Sequence, residues 1–148
     1  RVDVKPGAGN TVPGRIEATL DIRAGADAPR LVAIDRIRYE AERIADRRGL
    51  RFELTRHIDV PTCPMDEALQ AAFARSVGSL GLDVRLLPSG AGHDAMAMAR
   101  SFPAAMLFVR SKDGISHNPK EWSSPEDIGL GVEALTRTIL DLAKGRGT

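Results

Sequence analysis

Cysteine is nearly missing: Cys63 is the only one in 148 residues. A lone thiol excludes an internal disulfide framework and a cysteine-rich zinc site, and it suits a reducing, cytoplasmic compartment. Aromatic side chains are scarce too, at 4% of the chain, which leaves no platform for stacking nucleic-acid bases. An excess of one charge sign is also missing. The 21 basic and 20 acidic residues nearly cancel to a formal +1, and no basic run marks a nucleic-acid partner. No apolar run approaches the about 18 residues needed to cross a bilayer, so no membrane partner is expected. The opening RVDVKPGAGN has neither an initiator Met nor an apolar h-region. It does not read as a signal peptide, and the chain reads as beginning in the middle of something.

What is present is ordinary globular material, with 43% hydrophobic and 28% charged residues. That is enough for one domain with a sizeable core or for pieces of two. Residues 15 to 23, RIEATLDIR, alternate strictly, with Ile16, Ala18, Leu20 and Ile22 on one face. This pattern predicts a half-buried strand. Asp27 is the expected N-cap of a helix carrying Leu31, Ile34, Ile37, Ala41, Ile44 and Ala45 on one stripe, and Gly49 is its stop. A second strand is expected from Arg51 to Ile58. The turn VPTCP then marks a boundary.

Beyond it, Asp66 predicts the cap of a helix with Leu69, Ala72, Phe73, Val77 and Leu80, closed by Gly81. A short strand, DVRLL, and a short helix to about Arg100 follow. The continuous apolar run AAMLFV at 104 to 109 predicts a strand buried on both faces. Ser124 and Asp127 form a capping box with Pro125 at the first helical position. The final helix carries Ile128, Val132, Leu135, Ile139 and Leu142, and the terminal KGRGT reads as a frayed tail. Helix and strand alternate throughout, which predicts an α/β class.

Polar groups cluster in three places. GAGHDA follows DVRLL and DGISHNPKE follows AAMLFV, so His93 and His117 are expected at the carboxyl edge of one sheet, where α/β proteins bind ligands. Imidazole there suits a metal ligand, an acid, a base or an oxyanion donor. A loop histidine is equally at home on a surface. Asp94 could orient the imidazole or cap the following helix. Gly90 and Gly92 permit positive φ or a close approach, and a ligand or a packing contact could each demand it. The third cluster is KPGAGNTVPG with DIR. Asn10 and Arg23 could clamp a carboxylate, Arg23 supplying a bidentate fork. On the residues alone, a turn asparagine and a surface arginine read better. His57 lacks such a context and reads as structural, and Cys63 lacks a nearby base.

Taken in order, PGAGNTVPG…LDIR, LPSGAGHDAMAMA and FVRSKDGISHNPKEWSSPEDI resemble the amidohydrolase branch of the metal-dependent aminoacylase and carboxypeptidase superfamily. That branch holds N-carbamoyl-L-amino acid hydrolases, allantoate amidohydrolases and β-ureidopropionases. The resemblance implies a partial bimetal aminopeptidase/carboxypeptidase-like fold. Residues 1–60 would be the second half of an α+β lid and dimerisation domain, and 61–148 the C-terminal part of an α/β catalytic domain. It implies two divalent ions, zinc or manganese, in the complete enzyme, with His117 as one ligand. It further implies that His93 contacts the substrate and steadies its developing negative charge. Asn10 and Arg23 would hold the substrate's carboxylate, with Gly90, Ala91 and Gly92 near it through their backbone.

The reaction implied is cleavage of a carbamoyl or ureido C–N bond by metal-activated water, on a small carboxylate-bearing substrate, by a homodimer joined through the lid. Many relatives have serine where this chain has Asn118. The family's other metal ligands, its glutamate base and a lid histidine lie in motifs that this chain lacks. The expectation is therefore a chain inactive by itself. The alternatives are a peptidase or aminoacylase of the same superfamily, or a non-catalytic binding or dimerisation module.

Overall fold

The computed structural model describes residues 1–145, so of KGRGT the last three positions lie outside the described residues. The chain divides into two compact units, Arg1–Thr62 and a second from Cys63 onward.

In the first unit, β1 (Val2–Lys5) pairs antiparallel with β2 (Arg15–Ala18), in the register Val2↔Ala18 to Lys5↔Arg15. β1 was not anticipated in RVDVK, and β2 is shorter than the alternation of residues 15 to 23 predicts. Both faces of β2 are exposed, Ile16 at 64%. Alternation defines a face. It supplies neither a ladder partner nor a cover for that face. The same reason removes the expected strand at 51 to 58, which is exposed and pairs with nothing among the described residues.

α1 (Asp27–Arg48) forms where the 3.6-residue pattern predicts it, except that Ala26 is the N-cap and Asp27 the first helical residue. Asp27 is then free to work as a carboxylate at the positive end of the helix. Gly49 ends the helix at φ 64°, a left-handed conformation that a Cβ disfavours. Arg30, on the first turn, is buried. Its guanidinium bonds Asp27 (Nη2–Oδ1 2.8 Å) and Asp59 (Nη1–Oδ1 2.7 Å). The Thr62 amide donates to the same Asp27 carboxylate at 3.1 Å. Ion pairing thus ties the exit of this unit to the start of α1.

The second unit is built on α2 (Glu67–Ser79) and α4 (Pro125–Ala143), with α3 (Asp94–Met98) between them in sequence. Both predicted caps form. Asp66 accepts from Leu69 N–H at 2.9 Å, and Ser124 Oγ accepts from Asp127 N–H at 3.0 Å. The predicted inner face of α4 is corrected. Ala134 and Thr138 are the buried residues, while Ile128, Val132, Leu135 and Ile139 are about half exposed. Small residues make the contact: Thr138 Oγ1 donates to Ser76 Oγ at 2.8 Å, beside buried Ala72. Small side chains let two helices approach closely, and large ones would hold them apart.

The runs DVRLL and AAMLFV form no ladder among the described residues. Residues 104–107 are half-buried and Phe108 and Val109 exposed, rather than buried on both faces. The run is nonetheless anchored. The Asp66 amide donates to the Ala104 carbonyl at 2.8 Å, and Val109 approaches Gly131 so closely that an added Cβ would lie 2.9 Å from its Cγ2. The fold class is thus confirmed at its coarse level, helices with a small sheet, and corrected in its strands.

Candidate functional site

Residues 88 to 93 turn from the DVRLL segment into α3. His93 is the N-cap of α3 with extended backbone (φ −135°, ψ 153°), so its ring stands clear of the helix while its carbonyl starts it. Asp94 is the first helical residue, and no side chain caps this helix. Its carboxylate sits instead in the first turn, where the helix dipole favours it. The turn is held by Ser89. Its Oγ lies 2.6 Å from His93 Nε2 and accepts from the Ala91 amide at 3.2 Å. The His93 and Phe108 rings meet in a T-shaped arrangement, with centroids 5.8 Å apart and planes at 66°. GAGHDA and the apolar run that precedes the second histidine loop therefore do meet.

Gly92 has neither a positive φ nor a neighbour within 4 Å of an added Cβ. Tight packing against the described residues is not what places glycine there.

His117 lies in the loop after the apolar run and is exposed, with φ 56°. A non-glycine residue in this region carries strain that the surrounding loop must hold. The loop does so with several bonds. The His117 amide donates to Glu121 Oε2 at 2.7 Å, Lys112 N–H to the Trp122 carbonyl at 2.8 Å, and Ser111 Oγ to the Ile115 carbonyl at 2.6 Å. Asn118 closes the tip, accepting from Lys120 N–H through Oδ1 at 3.0 Å. Arg110 pairs with Asp127 at 2.5 Å, which fastens the loop to the first turn of α4.

Asn10 sits exposed in the loop between β1 and β2, closed by the Gly14 amide on the Lys5 carbonyl at 3.0 Å. Arg23 follows β2 and already grips a carboxylate. Its Nε and Nη2 bond Asp21 Oδ1 and Oδ2 at 2.9 and 2.6 Å. Spacing i, i+2 places both on one side of an extended chain. The Arg23 guanidinium holds the Asp21 carboxyl below its ordinary pKa, and Asp21 raises that of Arg23 in turn. The guanidinium fork of Arg23 is thus engaged by a carboxylate of its own segment, as an exposed ion pair.

The structure joins Ser89, Ala91 and His93 in one turn. His117 stands in its own loop, and Asn10 and Arg23 belong to the other unit. Among the described residues, no three His, Cys, Asp or Glu side chains converge on a point that could hold a metal ion. His117 alone does not hold a two-metal centre. Sequence reasoning missed Ser89, Phe108 and Glu121. Ser89 and Glu121 each lie four residues from a histidine across a turn, a spacing that a tight loop converts into contact.

Comparison with known proteins gives a consistent result. The family pattern of peptidase family M20/M25/M40 matches residues 3–141. An N-carbamoyl-L-amino acid amidohydrolase of Geobacillus stearothermophilus is 38% identical over 145 residues, 98% of this chain and 36% of that protein. An allantoate amidohydrolase of Bacillus subtilis (strain 168) is 32% identical over 147 residues, 97% of this chain and 35% of that protein. A crystal structure of an amidase of the hydantoinase/carbamoylase family from Burkholderia multivorans superposes with a TM-score of 0.90 at 34% identity, covering 95% of this chain and 34% of that one. The chain spans about a third of the length of these relatives.

Proposed function

The chain belongs to peptidase family M20/M25/M40, and from that premise we propose that it forms part of an amidohydrolase. Its reaction is hydrolysis of the C–N bond of a carbamoyl or ureido group in an N-carbamoyl amino acid or in allantoate. The observation that carries this reading is the extent of the similarity. It runs through nearly the whole chain, with the GAGHDA and DGISHNP loops inside the matched span.

Each residue has a role in that reading. Arg23 exchanges Asp21 for the substrate's carboxylate, which its fork accepts in the same geometry, and Asn10 adds an amide donor. The backbone at Gly90, Ala91 and Gly92 lies beside the substrate. His93 donates a hydrogen bond to the oxygen that gains negative charge. His117 is one ligand of a two-ion zinc or manganese centre. M20-type amidohydrolases are typically dinuclear metal enzymes, but the described residues do not by themselves complete such a centre. A chain that supplies one imidazole is expected to be inactive alone. Residues 1–60 serve as the lid and as the dimer contact, 61–148 belong to the catalytic domain, and the enzyme works in the cytoplasm.

The test uses the complete metal-loaded polypeptide that carries these residues. It should release ammonia from an N-carbamoyl-L-amino acid or from allantoate. His117→Ala should lower both bound metal, read by elemental analysis, and turnover. Full metal occupancy in His117→Ala would sink the ligand role, and cleavage of peptides alone would favour the peptidase alternative.

A further inference from the structure

The Ser89 hydroxyl has one proton and two lone pairs. One lone pair takes the Ala91 amide at 3.2 Å, and the same oxygen lies 2.6 Å from His93 Nε2. The second lone pair and the hydroxyl proton both remain for Nε2, and sending the proton to Nε2 gives the hydroxyl one bond accepted and one donated. Nε2 is then an acceptor, and a neutral His93 carries its proton on Nδ1, because the bond made by one ring nitrogen selects the state of the other. Phe108 packs T-shaped against the same imidazole, with ring centroids 5.8 Å apart.

We propose that Ser89 is a positioning residue for His93, and that the Ser89 Oγ–His93 Nε2 bond leaves Nδ1–H as the ring's donor to the substrate. The proposal rests on the amidohydrolase reading and adds the tautomer and the group that sets it. Ser89 does not touch the reacting atoms. It acts by making His93 a hydrogen-bond donor before the substrate arrives. A transition-state donor is effective only when its proton is already aimed at the charge that develops.

Two measurements decide it. Nitrogen-15 NMR of the labelled 148-residue chain above the histidine titration should show His93 in the Nδ1–H form, and Ser89→Ala should move the population toward Nε2–H. In the complete metal-loaded polypeptide, Ser89→Ala should lower kcat on the order of tenfold and leave KM within about twofold. That is part of the about 100-fold expected for deleting an oxyanion donor outright. Ser89→Thr, which keeps the hydroxyl, should restore both the tautomer and kcat, which a general folding defect would not allow. An Nε2–H tautomer in the unsubstituted chain, or a Ser89→Ala enzyme with unchanged kcat, overturns the proposal and leaves the amidohydrolase reading standing. An unsubstituted metal-loaded enzyme that releases no ammonia overturns that reading, and the NMR result still decides the Ser89 pairing by itself.

Discussion

Arg23 shows how much a single side chain discloses. Its identity promises a planar fork for a carboxylate, and the structure fills that fork with Asp21 at 2.9 and 2.6 Å. A lysine would keep the charge and lose the paired geometry. Arg23→Lys in the complete enzyme should therefore raise KM for a carboxylate-bearing substrate on the order of tenfold, with kcat nearly unchanged. Steady-state kinetics check this, and unaltered KM would remove Arg23 from the substrate site. His93 was legible as a functional candidate from its glycine-rich loop. Its partner Ser89 was not, because the 2.6 Å contact depends on how tightly residues 89 to 93 turn. The strain at His117 was hidden for the same reason, since φ is a property of the folded loop.

At the level of elements, helices were easier to read than strands. α1, α2 and α4 have their stop and cap signals written beside them, in Gly49, Asp66 and Ser124. A helix satisfies its own backbone, so local sequence suffices. A strand borrows its hydrogen bonds from a neighbour, and the patterns at 51 to 58, 83 to 87 and 104 to 109 do not name one. The latch at the start of α1 joins residues about thirty positions apart, which is likewise not written locally. Arg30 holds Asp27 below the ordinary carboxylate pKa, helped by the Thr62 amide, and it lowers Asp59 in the same way, with Arg56 adding to it. Both folded pKa values are depressed. The latch therefore contributes fully above the ordinary value and is lost as pH falls below about 4. Carboxyl-carbon NMR titration should place both midpoints below the ordinary value. Arg30→Gln should raise both, and unmoved midpoints would clear Arg30 as the cause.

For the whole molecule, the decisive quantity is exposed surface. Several large apolar side chains stand in the open: Leu86, Leu87, Phe108, Val132 and Ile139 are each at least half exposed. Where such side chains adjoin, monomeric proteins rarely leave the resulting patch uncovered. The 148-residue chain should consequently bind a hydrophobic dye strongly, and the complete polypeptide of its relatives' length only weakly. Equal dye fluorescence from both would show that the apolar surface of α4 and the 104 to 109 run is not covered in the longer protein.

The amino-acid sequence alone determined the long helices, the caps at Asp66 and Ser124, the turn between the two units and the residue types available for chemistry. Each of these depends on neighbours a few positions away. Tertiary structure alone decided which face of α4 is buried, which apolar runs find a ladder, and which oxygen stands beside His93. Those outcomes rest on contacts between distant segments. Hydrophobic patterning shows that a face needs a cover. Only the assembled fold shows that small residues at Ser76, Ala134 and Thr138 take the helix contact and that Ser89 takes the imidazole.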